Sequence, residues 1–584
     1  MQLKTYLRAI SKNLYQHQWR YLINVTLLQI VLVTMSALVL STLFQWMLHN
    51  ANETQLNKEN YLHILLNPIN IILLCVFIYV LALLMLIEFS FLTLLTYGDY
   101  KEEHYTIRTI LLSAFNTFRQ LFGIQLLYFI FYFILTLPLA NLTMSSILTQ
   151  DLYIPKFITG EIVKTPMGLT LYSLGIIIFA WLNYRLILVI PLMILCGYNV
   201  SHSMKHSWQL TRRHPFKLIS VILILYTALL LSIIVLIVIS VSVFSIIDSQ
   251  GQNWATASLL FILLKGIFFF GTVMTKLILV ATLVYYLMDQ QPIQKKLTVI
   301  PSRPYSWIVK LVLIAILIGV SISSVYDLHE HPFNNKVDII AHRGFVKKGV
   351  ENSRESLKAA GDLKVDYVEL DVVMTQDQQF VVIHDNELKR LTGQEGTVQD
   401  MTLSELQKLT LHQGDWTSKI MTLDEAVQQA KRQQTQLLIE LKPYGKEPAN
   451  YIDLLLKKVN QLHIGQHGKL MSLDYELISQ IKKRTDAIEC GYVIPFQIGD
   501  LPQTNLDFYL IEDFSYTPNL VTQAHHMHKQ LYVWTINGEN DIVKYLNTPV
   551  DGIITDDPDV VHQQKQTFLF ENAYVQYAIR AFLY

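Results

Sequence analysis

Apolar and polar positions along this chain form two unlike textures that meet near residue 328. Before it, long apolar runs follow one another at about 22–48, 69–97, 121–148, 167–197, 218–247, 257–288 and 306–325. Each approaches or exceeds the ~20 residues a helix needs to cross a hydrocarbon core, and tilt or protruding ends absorb the excess. Buried helices of a soluble protein rarely give a run such as Leu218–Ile247 without one charge. About seven transmembrane helices are therefore predicted within residues 1–328. The first run is too long for a cleaved signal peptide and lacks a convincing cleavage site.

After residue 328 the pattern shortens. Strands are predicted at Val337–Ala341, Tyr367–Val373, Gln436–Leu441, Lys469–Leu473, Ile488–Ile494, Phe508–Ile511, Leu531–Ile536 and Gly552–Thr555. Helical patterns such as Ser353–Ala360, Leu423–Arg432 and Tyr451–Val459 lie between most of them. Eight alternating units over 329–562 predict an α/β TIM barrel, (β/α)8, behind the membrane domain. A further run, Phe380–Ile383, follows the second strand too closely for a parallel crossover, so it reads as a hairpin arm above the rim. Pairing Thr375 with Phe380 would set His384 across from Asp371. Residues 563–584 read as an amphipathic aromatic tail that rests on protein or on the bilayer.

Composition fits this division. Of 584 residues 52% are hydrophobic and 16% charged, against roughly 25% charged in soluble proteins. The 46 basic residues balance the 46 acidic ones, which argues against a nucleic-acid partner recruited by bulk positive charge. Three cysteines provide neither a disulfide framework nor a thiolate zinc site. Lys and Arg crowd the N-terminal segment and every second connection, as at Arg8, Arg108, Arg212 and Lys295, whereas the alternate connections hold only Lys58, Lys156 and Lys164. That bias predicts a multi-pass membrane protein with a cytoplasmic N-terminus and, after seven spans, an extracellular second half. Glu88, Arg185, Lys265 and Lys276 fall within or near apolar runs and read as helix-locking pairs or snorkelling ends. The basic stretch His202–His214 reads as amphipathic, lying on the inner leaflet.

Barrel enzymes keep their chemistry at the C-terminal ends of their strands. There the sequence places His342, Arg343, Glu351, Glu369, Asp371, His384, Glu440, Lys442 and Trp534. Glu369 and Asp371 stand two apart on a strand and so share a face. With Glu440, and Glu351 as a possible fourth, they make an oxygen-only acidic cluster suited to Ca2+ or Mg2+ rather than zinc. Arg343 and Lys442 add cations at the same rim, a setting for a phosphate. His342 and His384 remain as candidate acid and base across a phosphodiester.

These residues sit in motifs: AHRG at Ala341–Gly344, Glu351-Asn352, VELDV at Val368–Val372, VVIHD at Val381–Asp385, IELKP at Ile439–Pro443, VWTIN at Val533–Asn537 and DGIITDDP at Asp551–Pro558. Their order over about 337–562 resembles the glycerophosphodiester phosphodiesterase family. The multi-span half resembles, by texture, the membrane domain fused to some bacterial members, which would place the protein in a bacterial cell membrane. The resemblance implies metal-dependent hydrolysis of glycerophosphodiesters to an alcohol and glycerol 3-phosphate. It implies Glu369, Asp371 and Glu440 as metal ligands, His342 and His384 as the acid–base pair, Arg343 and Lys442 as phosphate-binding cations, and Trp534 in the substrate pocket. Glu351 would be ligand or orienter. Two positions depart from the family pattern: Val350 where Pro is usual, and Asp377-Gln378 where the hairpin turn is usually Asp-Gly. The membrane anchor turns expectation toward a lysophospholipid or a lipoteichoic-acid-like polymer as substrate. Rival readings are lysophospholipase D-like formation of a cyclic phosphate, and a transporter or sensor whose barrel only binds.

Overall fold

The computed structural model describes residues 3–136 except 104 and 106, residue 148, residues 156–293 except 164, 214 and 250–252, then 307–330, 334, 336–570, 574, 577, 578, 580 and 581. Six of its helical segments are long and apolar enough to span a bilayer: Leu3–Asn50, Pro68–Tyr100, Pro166–Cys196, Phe216–Ile247, Trp254–Gln290 and Val309–Tyr326. They coincide with six of the seven predicted runs. The remaining one, 121–148, is helical over Ile124–Thr136, and 137–147 lies outside the described residues.

The intramembrane charges are tied. Lys276 Nζ donates to Glu88 Oε1 at 3.2 Å, joining the second and the fifth long helices. Arg185 donates to the Trp208 carbonyl at 2.6 Å and lies over the Trp208 ring, which fastens the helix Val200–Arg213 to the bundle. Arg20 pairs with Asp99. The helix Val200–Arg213 buries Ser203, Ser207 and Leu210 against its neighbours, so one of its faces is committed to protein.

Eight parallel strands form the second half: Asp338–Ala341, Tyr367–Met374, Gln436–Leu441, Gly468–Ser472, Cys490–Ile494, Phe508–Glu512, Gln530–Trp534 and Gly552–Thr555. Each pairs with the next, and the eighth pairs with the first (Ile553 beside Ile339), so the sheet closes. Along the second strand, Leu370 packs outward with Leu357 and Ala360 in the layer between strands and helices. Its neighbours Glu369 and Asp371 therefore face inward, as period two requires. Ile340, Leu438, Met471, Val493, Phe508, Leu510, Tyr532 and Ile554 fill the barrel below the mouth.

The hairpin forms with its register one residue from the predicted one. Met374, Val373 and Val372 face Phe380, Val381 and Val382, so Ile383 rather than His384 stands opposite Asp371. Its turn carries Gln378 in the left-handed region (φ 61°), a conformation that favours glycine. Val350 is buried with Val373, Val381 and Leu388 in a small core of its own. The described part of the tail packs on protein: Gln564 donates to Glu539 at 2.7 Å and Lys565 to the Val337 carbonyl at 2.6 Å on the barrel, and beyond them the contacts are with the helical half. Tyr574 is buried among Ala257, Phe261 and Leu328 at the ends of membrane helices, and its hydroxyl donates to Asp248 at 2.8 Å.

Candidate active site

The turn after the first strand shapes the site. Arg343 adopts a left-handed backbone (φ 55°) that lets its own N–H donate to Glu369 Oε2 at 2.7 Å. Gly344 follows at φ 83°, where a Cβ would lie 2.5 Å from the Ser356 hydroxyl. Glycine is thus required by close approach as well as by dihedral.

Glu369, Asp371 and Glu440 each offer one oxygen within 4.8 Å of the others, and all three are buried. Burial and the charges of Asp371 and Glu440 raise the Glu369 carboxyl well above the usual range. Burial also opposes the Asp371 charge, but Lys442, His384 and Arg343 outweigh it and hold that carboxyl far below normal. Lys442 Nζ reaches Glu440 at 3.1 Å and Asp371 at 3.2 Å. Those two acids overcome the cost of its burial and keep it charged. Three buried carboxylates gathered within 4.8 Å of one another, all of them hard oxygen donors, are a setting that a divalent cation would relieve.

His342 and His384 each hold an acid at Nδ1. His342 Nδ1 lies 2.8 Å from Asp556 Oδ1, and His384 Nδ1 lies 2.6 Å from Asp385 Oδ1. Both acids are pushed up by burial but held well below normal, Asp556 by His342 and Asn537 and Asp385 by His384 and Arg390. An ionised acid at Nδ1 fixes the tautomer and leaves Nε2 for chemistry. His342, Arg343, Glu369, His384, Glu440, Lys442 and Trp534 all line one cavity of about 980 Å³.

Glu351 lies outside the three-acid cluster. Its oxygens accept from Arg343 at 3.0 Å, from Arg390 at 2.6 and 2.9 Å, and from Gln413 at 3.2 Å. Arg343 also approaches Asp371 at 3.5 Å. Several positioning groups received no role from sequence reasoning. Asn352 donates to Asp371 at 2.7 Å and accepts from its backbone at 3.1 Å. Arg390 ties Asp385 to Glu351, and Asp556 supports His342. The adjacent His384-Asp385 pair was a readable signal for one of these supports. Asp556 lies 214 positions from His342, and no local pattern joins them.

Residues 7–324 match a family model described as the membrane domain of glycerophosphoryl diester phosphodiesterase. Residues 342–560 match the glycerophosphoryl diester phosphodiesterase family. A glycerophosphodiester phosphodiesterase of Caldanaerobacter subterraneus subsp. tengcongensis is 29% identical over 238 residues, which cover 39% of this chain and 96% of that protein. The lysophospholipase D GDPD1 of Homo sapiens is 23% identical over 266 residues, covering 38% of this chain and 83% of that protein. Among solved structures, an Oleispira antarctica phosphodiesterase in complex with the product sn-glycerol-3-phosphate gives a TM-score of 0.35 at 26% identity, covering 39% of this chain and 95% of that one.

Proposed function

The chain belongs to the glycerophosphoryl diester phosphodiesterase family, and on that premise we propose that it hydrolyses glycerophosphodiesters to an alcohol and glycerol 3-phosphate with a divalent metal held by Glu369, Asp371 and Glu440. It is a phosphoric diester hydrolase carried on a helical membrane domain. The observation that carries the mechanistic reading is the pair of histidines, each acid-supported at Nδ1, on the same cavity as the carboxylate triad.

When bound, Ca2+ or Mg2+ supplies Lewis-acid charge at the phosphoryl group. Lys442 and Arg343 contribute fixed positive charge where negative charge develops in the transition state. One histidine Nε2 takes the proton of the attacking oxygen. The other gives a proton to the leaving alkoxide as its P–O bond breaks, so two protons move and none is lost. Asp385 and Asp556 keep each ring oriented and stabilise it when protonated. Glu351, engaged by two arginines, acts as an orienter of Arg343 rather than as a fourth ligand. Trp534 lines the substrate cavity.

The protein is read as a cell-membrane enzyme with its N-terminus in the cytoplasm and its barrel outside. Two contacts support this alongside the Lys and Arg bias. Gln55–Asn57, in the connection after the first long helix, pairs with Gln497–Gly499 of the barrel, so both lie on the side opposite the N-terminus. Tyr574, beyond the barrel, reaches Asp248 at the connection before Trp254. An odd number of crossings satisfies both.

The test is incubation of the purified full-length protein with a simple glycerophosphodiester and Ca2+ or Mg2+, with and without chelator, products being identified by phosphorus NMR. Glycerol 3-phosphate that disappears with chelator is expected. A cyclic phosphate would instead assign the attack to the substrate's own hydroxyl, and no turnover with either metal would sink the reading.

A further inference from the structure

The mouth of the barrel is divided. Its first three strands and the hairpin carry most of the charged set, joined by Asp556 after the eighth strand, whereas Met471, Val493, Leu510 and Ile554, at the top of the packed interior, present apolar surface to the same cavity. A site for a small polar diester alone has no use for that apolar half. Above it stand Pro495 and Phe496, which lead into the short strand Gln497–Gly499.

That strand is completed by the membrane domain. Gln55, Leu56 and Asn57, between the first two long helices, pair antiparallel with Gly499, Ile498 and Gln497. Tyr492 of the fifth barrel strand donates to Glu59 at 2.6 Å. The connection is built rather than slack. Buried Asn60 donates to the Gln55 carbonyl and accepts from the Asn57 N–H, both at 2.9 Å. Buried Asn70 bonds the carbonyls of Met47 and Ile64, clamping both ends of the segment. So held, Leu56, Tyr61 and Leu65 join Phe496 on the wall of the cavity that holds His342 and Glu440. On the same short helix, Leu62 and Leu66 are exposed beside the membrane helices.

We infer that the connection 51–67 is part of the substrate site, roofing an apolar chamber that selects glycerophosphodiesters bearing one hydrocarbon chain over chain-free diesters. The inference rests on the hydrolase reading above and adds the specificity-determining residues, Leu56 and Phe496 foremost. The chamber is continuous with the catalytic groups, so a hydrocarbon chain attached to the bound diester reaches it. Its roof springs from the ends of the membrane helices, so a chain withdrawn from the bilayer has a short path to it. Its volume lies within the range of sites that enclose a single ligand of modest size, which fits one chain beside a phosphodiester. Each methylene taken from water adds to the preference.

The experiment uses the full chain in lipid nanodiscs and compares kcat/KM for lysophosphatidylcholine with that for glycerophosphocholine. The wild type should favour the chain-bearing diester at least tenfold. Leu56→Gln and Phe496→Ala should each lower that ratio at least threefold, and Leu56→Met should restore it. Two independent variants, each checked for an unchanged thermal midpoint, guard against misfolding at one position. A wild type that hydrolyses both diesters without preference, or a ratio untouched by both substitutions, would overturn the inference and leave the hydrolase reading standing. Turnover of neither diester in Ca2+ or Mg2+ would remove that reading and the inference with it.

Discussion

The membrane bundle and the barrel mouth handle buried charge in opposite ways. Between the membrane helices, Glu88 pairs with Lys276 at 3.2 Å, one acid beside one base. In the barrel mouth, Glu369, Asp371 and Glu440 crowd together, with Lys442 shared between two of them and Arg343 shared between Asp371 and Glu351. The first arrangement joins two helices through opposite charges. The second leaves Glu369 with its carboxyl raised, a carboxylate cluster short of positive charge. Balanced burial marks structure, and deliberate imbalance marks a place prepared for a ligand.

Breaking the comparison at its chemical end gives the largest effect. His342→Ala or His384→Ala should lower kcat by roughly 10²–10⁴-fold in a metal-supplemented assay, the usual worth of a positioned acid or base. Near-normal turnover by either purified variant would remove it from the mechanism. On the membrane side, Glu88→Ala strands Lys276 and should cost about 3–5 kcal/mol of stability, seen as a lower unfolding midpoint in detergent with the barrel chemistry intact per folded molecule. The corresponding change in the mouth should have the opposite sign. Glu369→Gln removes one of three mutually repelling acids, so in chelator it should stabilise the protein by about 1–2 kcal/mol while activity with metal is lost. Destabilisation of both variants alike would erase the contrast.

A smaller effect tests a half-buried acid away from the site. Burial and Asp366 raise the Asp338 carboxyl to about 6, against the pull of Lys469, Tyr532 and Lys565. A raised folded pKa favours the protonated form, so its contribution is complete below about pH 4 and fades as pH rises through 6. Asp338→Asn should therefore match wild type near pH 4 and exceed it by about 1–2 kcal/mol at pH 7.5, after allowance for screening by solvent. Equal unfolding midpoints at both values would refute the shift. The smallest effect is at the hairpin turn. Gln378→Gly relieves a left-handed backbone and should add about 0.5–1 kcal/mol, read from the same unfolding measurement.

Much of this was legible in the chain. Long charge-free runs have one stable solution in a bilayer, and alternating β and α units have few ways to close, so both architectures follow from local pattern. The triad was legible in part because Glu369 and Asp371 are two apart on a strand. The hairpin register was misjudged by one residue, since turn geometry rather than composition sets it. His384 reached the site regardless, because it lies beyond Val382, the last residue of its strand, where the pleat no longer dictates direction. The ion pairs of Glu351 with Arg343 and Arg390 could not be read from the sequence, because they depend on how the loops after the first strand and the hairpin fold together.

The sequence by itself determined a helical membrane half, a barrel half and the identity of nearly every charged group at the mouth. Those are consequences of periodicity and of residue chemistry, which act over a few neighbouring positions. Only the tertiary structure decided which acid supports His342, that Glu351 faces two arginines, and that Gln55–Asn57 adds a strand beside Gln497–Gly499 more than 400 positions away. Such contacts join segments whose local patterns carry no trace of one another. The first two arise as the barrel closes on itself, and the third, where the barrel meets the bundle, brings the connection between two long helices to the wall of the cavity.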